Sequence, residues 1–282
     1  MSLNGIILIN KERGISSNKV VNKVKYAVKA EKAGHLGTLD VLGEGLLPVT
    51  LGKGTKLFDY FLNKDKVYKT VFKFGETTDT LDLEGTVTQH NDVEVSLPQL
   101  IETAKSLEGR QEQMPPIYSA KKINGKKAYD LARAGVEVEL KANEIEIYSI
   151  KILREVERNT FELEIHCSSG TYIRSICRDL ATKLSTFGVM LSIQRTKCGF
   201  FDISNSYTLQ DIENGNYKLV ALDSVFDYEK LDLRNNEAEK LLNGVVIPCQ
   251  KQNGKVRLYR EKQFLGIGSI KDNKLKFDLR LI

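Results

Sequence analysis

One aspartate, Asp40, sits in the glycine-rich segment AGHLGTLDVLGEG, between Leu39 and the pair Val41 and Leu42. Gly34, Gly37, Gly43 and Gly45 give that stretch of backbone unusual freedom. A carboxylate among apolar neighbours needs a cation or hydrogen-bond donors to stay ionised. Once ionised, it can act as nucleophile or base. A lone aspartate beside glycines is more often a turn former, but three other clusters add weight. They are Lys66-Val67-Tyr68 with GETTDTLDLEG at 75–85, QMPPIYSAKKINGKKAYDLARAG at 113–135, and CSSGTYIRSICRDL at 167–180. In the last, Arg174 falls in the first helical turns after Gly170. Its permanently charged fork could reach a carboxylate from there, although a surface ion pair is the commoner use of such a residue. Tyr68, taken alone, reads equally well as a core tyrosine.

Other chemistries find little support. LGKGTK looks like a phosphate loop, but Lys53 is followed by Gly54, and Leu47 stands where the earlier glycine belongs. GxGxxG after a strand and GxSxG are both missing. Cys167, Cys177, Cys198 and Cys249 form no CxxC pair and read as reduced thiols. The histidines His35, His90 and His166 lack metal-ligand spacing. The expectation is therefore no metal and no cofactor. No apolar run approaches the ~18 residues of a membrane span, and the N-terminus lacks the pattern of a secretory signal, so a cytoplasmic protein is expected. The net charge of +5 is modest but segregated. Residues 11–32 carry seven basic side chains against Glu12 and Glu31, and 231–282 carry eleven against six acidic ones. Such segregation suits a polyanion, although solvated helix faces look the same.

The elements that must position these groups can be read coarsely. Residues 4–10 form an apolar strand. Ser16 or Ser17 caps a helix to about Lys29. Helices are expected at 55–63, 97–107, 128–134 and 171–184, and strands at 67–75, 145–156 and 161–168. Strands and helices without a βαβ rhythm give an α+β fold with a mixed, mainly antiparallel sheet flanked by helices. Near Tyr228 the character changes. A helix at 236–242 and the pieces VVIP, VRLYR, QFLGIGSI and LKFDLRLI suggest a small β-barrel-like appendage. The expected division is 1–228 and 229–282.

From Gly5 to the C-terminus the chain resembles the TruB-type tRNA pseudouridine-55 synthases. The blocks NKxxGxxS at 10–17, GHxGTLD at 34–40, KxY at 66–68, TDTxDxxG at 78–85, PPxYSAxKxxGxxxYxxAR at 115–133 and CSxGTYIRSxxxDL at 167–180 stand in order. The RTKCGF segment at 195–200 also fits, and the last fifty residues are similar to a PUA domain. The resemblance implies the pseudouridine synthase fold and roles for single residues. Asp40 would be the catalytic aspartate, Arg174 its arginine partner, and Tyr68 the tyrosine that stacks on the flipped base and handles a proton. His35 would enter the T-loop, Ile193 would line the uracil pocket, and Lys11 and Tyr172 would stand at its edge. Some positions depart from the pattern: Val41 replaces a proline, Gly43 an alanine, Leu36 a threonine, and Glu12 follows Lys11 where proline is usual. A less rigid loop is expected.

The implied reaction breaks the N1–C1′ bond of a uridine and rejoins C1′ to C5, an isomerisation that needs no cofactor. A carboxylate can attack the sugar, attack C6 of the base or remove a sugar proton, and the sequence does not choose among these routes. The base must first leave its stack, at a cost of a few kcal/mol, and stacking on Tyr68 returns roughly 1–3 kcal/mol. Lys121, Lys122, Lys126 and Lys127, with the stretch at 11–32, would hold phosphates. The expected partner is tRNA, with the T-arm at the catalytic part and the acceptor stem at the C-terminal domain. No membrane or protein partner is expected, and the chain is read as a monomer. An RNA-binding helper of tRNA folding and a guide-RNA-dependent synthase are the competing readings.

Overall fold

Because GIILINK has no polar alternation, it suits a strand covered on both faces. The structure, a computed structural model, describes residues 3–118, 122–123, 126–127 and 140–282, and places this run as β1 (Gly5–Lys11). Ile7 and Ile9 face one core cluster, and Ile6 and Leu8 face another. Next come α1 (Ser17–Ala27), β2 (Ala33–His35) and β3 (Glu44–Leu51). The helix expected at 55–63 is half 3-10 turn (Gly52–Leu57) and half α2 (Phe58–Leu62). Then follow β4 (Lys66–Phe74), β5 (Glu76–Thr78), β6 (Val87–His90), α3 (Leu97–Ser106), β7 (Gly109–Gln113) and two short strands, β8 (Lys122–Ile123) and β9 (Lys126–Lys127). The helix expected at 128–134 lies outside the described residues. The chain continues with β10 (Asn143–Glu157), β11 (Thr160–Cys167), α4 (Ile173–Lys183), β12 (Gly188–Cys198), β13 (Phe201–Asp202) and α5 (Leu209–Glu213).

Among the described residues the main sheet has nine strands, ordered β1-β3-β12-β4-β11-β10-β7, with β2 on β3 and β13 on β12. Its pairings are antiparallel apart from β3 with β12. This is the mixed, mainly antiparallel sheet of an α+β fold. Helices α1, α3 and α4 bury Val20, Val21, Val24, Leu100, Ile176, Cys177 and Leu180 in one core cluster with the sheet. β12 went unread in the sequence although it lies near the middle of the sheet. Its pattern GVMLSIQRTKC puts polar residues and a buried arginine where a central strand is usually apolar.

The C-terminal part comprises β14 (Glu229–Leu233), α6 (Asn235–Leu242), β15 (Ile247–Pro248), β16 (Gly254–Arg260), β17 (Gln263–Lys271) and β18 (Lys274–Arg280). These strands form a five-stranded half-barrel, ordered β14-β16-β17-β18-β15. It has its own core around Leu241, Leu258, Leu265 and Leu275. Ile267 and Leu281 also enter the cluster that holds Ile6, Leu8, Phe61 and Phe226, so this cluster spans both sheets. No helix among the described residues is long and apolar enough to cross a membrane.

β3 and β12 meet where Gly45 pairs with Arg195. Gly45 has φ +93°, and a Cβ there would lie 2.4 Å from the Arg195 carbonyl oxygen. Gly45→Ala therefore carries both a strained conformation and a backbone clash. It is expected to lower unfolding free energy by roughly 2–4 kcal/mol, read from a denaturant midpoint.

Candidate active site

Ser16 caps α1, accepting from the Lys19 N–H, which leaves the neighbouring Ser17 free to turn inward. Ser17 Oγ accepts from the Leu39 N–H at 2.9 Å and donates to the Leu39 carbonyl at 2.8 Å. Ser17 is buried, and it fixes the residue immediately before Asp40. Two further clamps come from the same N-terminal block. The Gly14 N–H donates to the Val41 carbonyl at 2.8 Å. Lys11 donates to the carbonyls of Val41 and Gly43 from a fully buried position. Burial lowers the Lys11 ammonium to about 8, partly opposed by the charges of Asp40 and Glu44. Lys11 was expected at the edge of the pocket. The structure puts it beneath the loop, outside the pocket wall, where its contacts are backbone carbonyls.

The loop presents Asp40 half-exposed, with 51% of its side chain open to solvent. Oδ2 of Asp40 accepts from Nη2 of Arg174 at 2.9 Å. Arg174 is the second residue of α4 and its side chain is only 8% exposed. Its other branch meets Asp82 Oδ2 at 3.2 Å and donates to the Thr80 carbonyl at 2.9 Å, while Nη2 also donates to the Tyr118 carbonyl at 3.1 Å. Thus Asp40 and Arg174 come together as the sequence suggested. Asp82, the second carboxylate on Arg174, stands in the block at 78–85 with no role that the sequence assigns. Its side chain is 7% exposed. Oδ1 accepts from the Thr80 hydroxyl at 2.6 Å and the Glu84 N–H at 3.0 Å. Leu81 at φ 62° bends the chain to aim it, and Gly85 makes room, since a Cβ there would meet Asp79 and Thr80 atoms within 2.4 Å. A carboxylate bracketed by Thr80 and Gly85 was the available signal. Gln113 was missed as well. Its buried amide exchanges two hydrogen bonds with the Tyr172 backbone and so fixes the start of α4.

Tyr68 on β4 is the register partner of Arg195 on β12, and burial pushes its phenol up to about 12, so it stays protonated at neutral pH. Tyr68, Ile193 and Tyr172 line one cavity of about 390 Å³ with Asp40 and Arg174. His35 lies in an adjoining cavity of about 750 Å³ that shares Asp40 and Arg174. Burial first, and the Arg195 charge second, lower the His35 imidazole. Among the described residues its buried Nδ1 has no hydrogen-bond partner. Lys121 and the side chain of Lys122 lie outside the described residues.

Known proteins resemble this chain over nearly its whole length. Residues 25–173 match the N-terminal domain model of the TruB family of pseudouridylate synthases, and residues 230–276 match the TruB C-terminal domain model. The tRNA pseudouridine synthase B of Clostridium kluyveri is 38% identical over 284 residues, covering 97% of this chain and 98% of the relative. That of Caldanaerobacter subterraneus is 36% identical over 280 residues, covering 98% of both. A solved H/ACA RNP bound to a substrate RNA containing 2′-deoxyuridine shares the fold at TM-score 0.71 and 19% identity, over 99% of this chain and 85% of that one. The fold and the sequence matches together define an RNA-modifying isomerase, a pseudouridine synthase. The chain belongs to the TruB family.

Two outcomes follow from the clamp on the loop. Ser17→Ala strands the buried Leu39 N–H, which costs about 1–3 kcal/mol. Turnover is expected to fall with the thermal midpoint while KM changes little. The depressed Lys11 means that the unfolded chain binds more protons than the folded one between pH 8 and 10.5. Its cost to folding is therefore fully present below pH 8 and fades as pH rises through that window. Stability of the wild type should rise over pH 8–10.5 relative to Lys11→Met, as read by denaturant titration.

Proposed function

We propose that the chain isomerises uridine 55 in the T-loop of tRNA to pseudouridine, with Asp40 as the catalytic carboxylate. The observation that carries this reading is the half-open Asp40, ion-paired at 2.9 Å to a buried Arg174 in a cavity shared with Tyr68. The flipped uridine enters that cavity and stacks on Tyr68, with Ile193 against the base and Tyr172 at the rim. Asp40 then acts on the sugar or on C6 of the uracil while Arg174 holds its second oxygen. Neutral His35 faces the adjoining cavity and fills the space that the base vacates.

The work divides at about residue 228. Residues 1–228 carry out the chemistry, and 229–282 grip the acceptor-stem end with their basic surface. Lys121 and Lys122 hold backbone phosphates. Transfer RNA is the substrate class suggested by relatives that bear the name tRNA pseudouridine synthase B. The chain works alone, as a monomer, in the cytoplasm.

The test uses unmodified tRNA tritiated at C5 of uridine. Wild-type protein should release tritium to water from position 55, and a tRNA lacking uridine there should release none. Asp40→Asn should lose at least about 1,000-fold in rate with tRNA affinity retained. Normal release by Asp40→Asn would remove Asp40 from the reaction.

A further inference from the structure

Arg195 is the most deeply buried cation in the pocket wall. It is 1% exposed and lies on β12, between Gly45 of β3 and Tyr68 of β4. Its Nε donates to the Leu46 carbonyl at 2.8 Å and its Nη2 to the Gly37 carbonyl at 3.0 Å. Tyr68 is its direct partner across the two strands. Both carbonyl acceptors are neutral. Among the described residues no ion pair includes Arg195, whereas the also buried Arg174 is shared by two carboxylates. A buried charge without a counter-charge is costly. Its field is felt nearby: it helps to lower both Lys11 and His35.

The pseudouridine reaction creates the charge that Arg195 lacks. When Asp40 attacks C1′ or removes a sugar proton, the N1–C1′ bond breaks and its electron pair stays with the uracil. When Asp40 attacks C6, the pair displaced into the ring rests on C5 and O4. In every route the base carries negative charge before C5 bonds to C1′, the C5 proton leaves and N1 gains a proton. We propose that Arg195 supplies the positive charge in the pocket wall that stabilises the uracil while it is detached, and that it positions Tyr68 beside the base. This rests on the reaction proposed above and adds a residue to it. The arrangement differs from the Arg174 pair, whose charge is already taken up by Asp40 and Asp82. Preorganised charge held out of water, as Arg195 is at 1% exposure, is where such stabilisation is strongest.

The experiment compares single-turnover cleavage of the N1–C1′ bond in tRNA carrying uridine or 5-fluorouridine at the target position. Fluorine makes the base a better leaving group, so it needs less help. Arg195→Met should lose roughly 100-fold with uridine and about 10-fold or less with 5-fluorouridine, while tRNA affinity changes little. Arg195→Lys keeps a cation of similar reach and should lose less with uridine than Arg195→Met does. Tyr68→Phe leaves the cation in place and should keep the wild-type ratio between the two substrates. Equal losses with both substrates in Arg195→Met would overturn the proposal. If neither Arg195 variant folds, a changed ratio in Tyr68→Phe would overturn it, because the sensitivity would then reside in the phenol. Absence of C5 tritium release by the wild type would instead strike the reaction itself.

Discussion

A guanidinium buried to 8% exposure is costly without a counter-charge, and at Arg174 the site is arranged to meet that requirement. Removing one partner of such a pair costs about 3–5 kcal/mol, because the remaining charge is stranded. Asp82 meets the requirement from inside the protein, and Asp40 meets it from the cavity side. The division separates two duties. Asp82 is held by the Thr80 hydroxyl and the Glu84 N–H and has little freedom to move. Asp40 keeps one side open, so that its carboxylate is oriented and still accessible.

Positioning Asp40 falls to residues about twenty-five positions earlier in the chain. Ser17, Gly14 and Lys11 take hold of Leu39, Val41 and Gly43 through main-chain atoms. Such clamps are indifferent to the side chain at 41, which is itself 41% exposed. Valine is therefore compatible with a fixed loop here, since the constraint comes from hydrogen bonds and not from a proline ring. Opposite this clamp, Gln113 fixes the start of α4 and so the base of Arg174. The pair is thus held from both ends by buried polar groups whose partners are all backbone, an arrangement that side-chain substitution nearby disturbs little.

Much of this was legible in the sequence. The apolar run of β1, the alternation of β4 and the amphipathic stretch of α4 gave their elements directly, and the motif blocks named Asp40, Arg174 and Tyr68. What was not legible depends on contacts across the fold. Lys11 looked like a surface cation in a basic stretch, and only the fold shows it buried beneath a loop thirty residues away. Asp82 carries no role of its own in the block at 78–85, because the charge it answers lies on a helix almost a hundred positions later. β12 escaped notice because Gln194, Arg195 and Lys197 break the apolar pattern that marks a central strand. One of those residues, Arg195, proves to be fully enclosed by its neighbours. β14 escaped because it is short and mostly polar, and it becomes a strand by pairing in parallel with β16.

The claim on which the account turns is that Arg174 is made serviceable to Asp40 by Asp82. Asp82→Asn keeps the size and most hydrogen bonds of the side chain and removes only its charge. The single-turnover rate of pseudouridine formation by this variant, measured beside its tRNA affinity, is the most direct test. The account predicts a rate lower by roughly 100-fold with affinity within about 3-fold of wild type, because Arg174 would then be drawn wholly onto Asp40. A wild-type rate in Asp82→Asn would contradict it and leave Asp82 as a loop residue only.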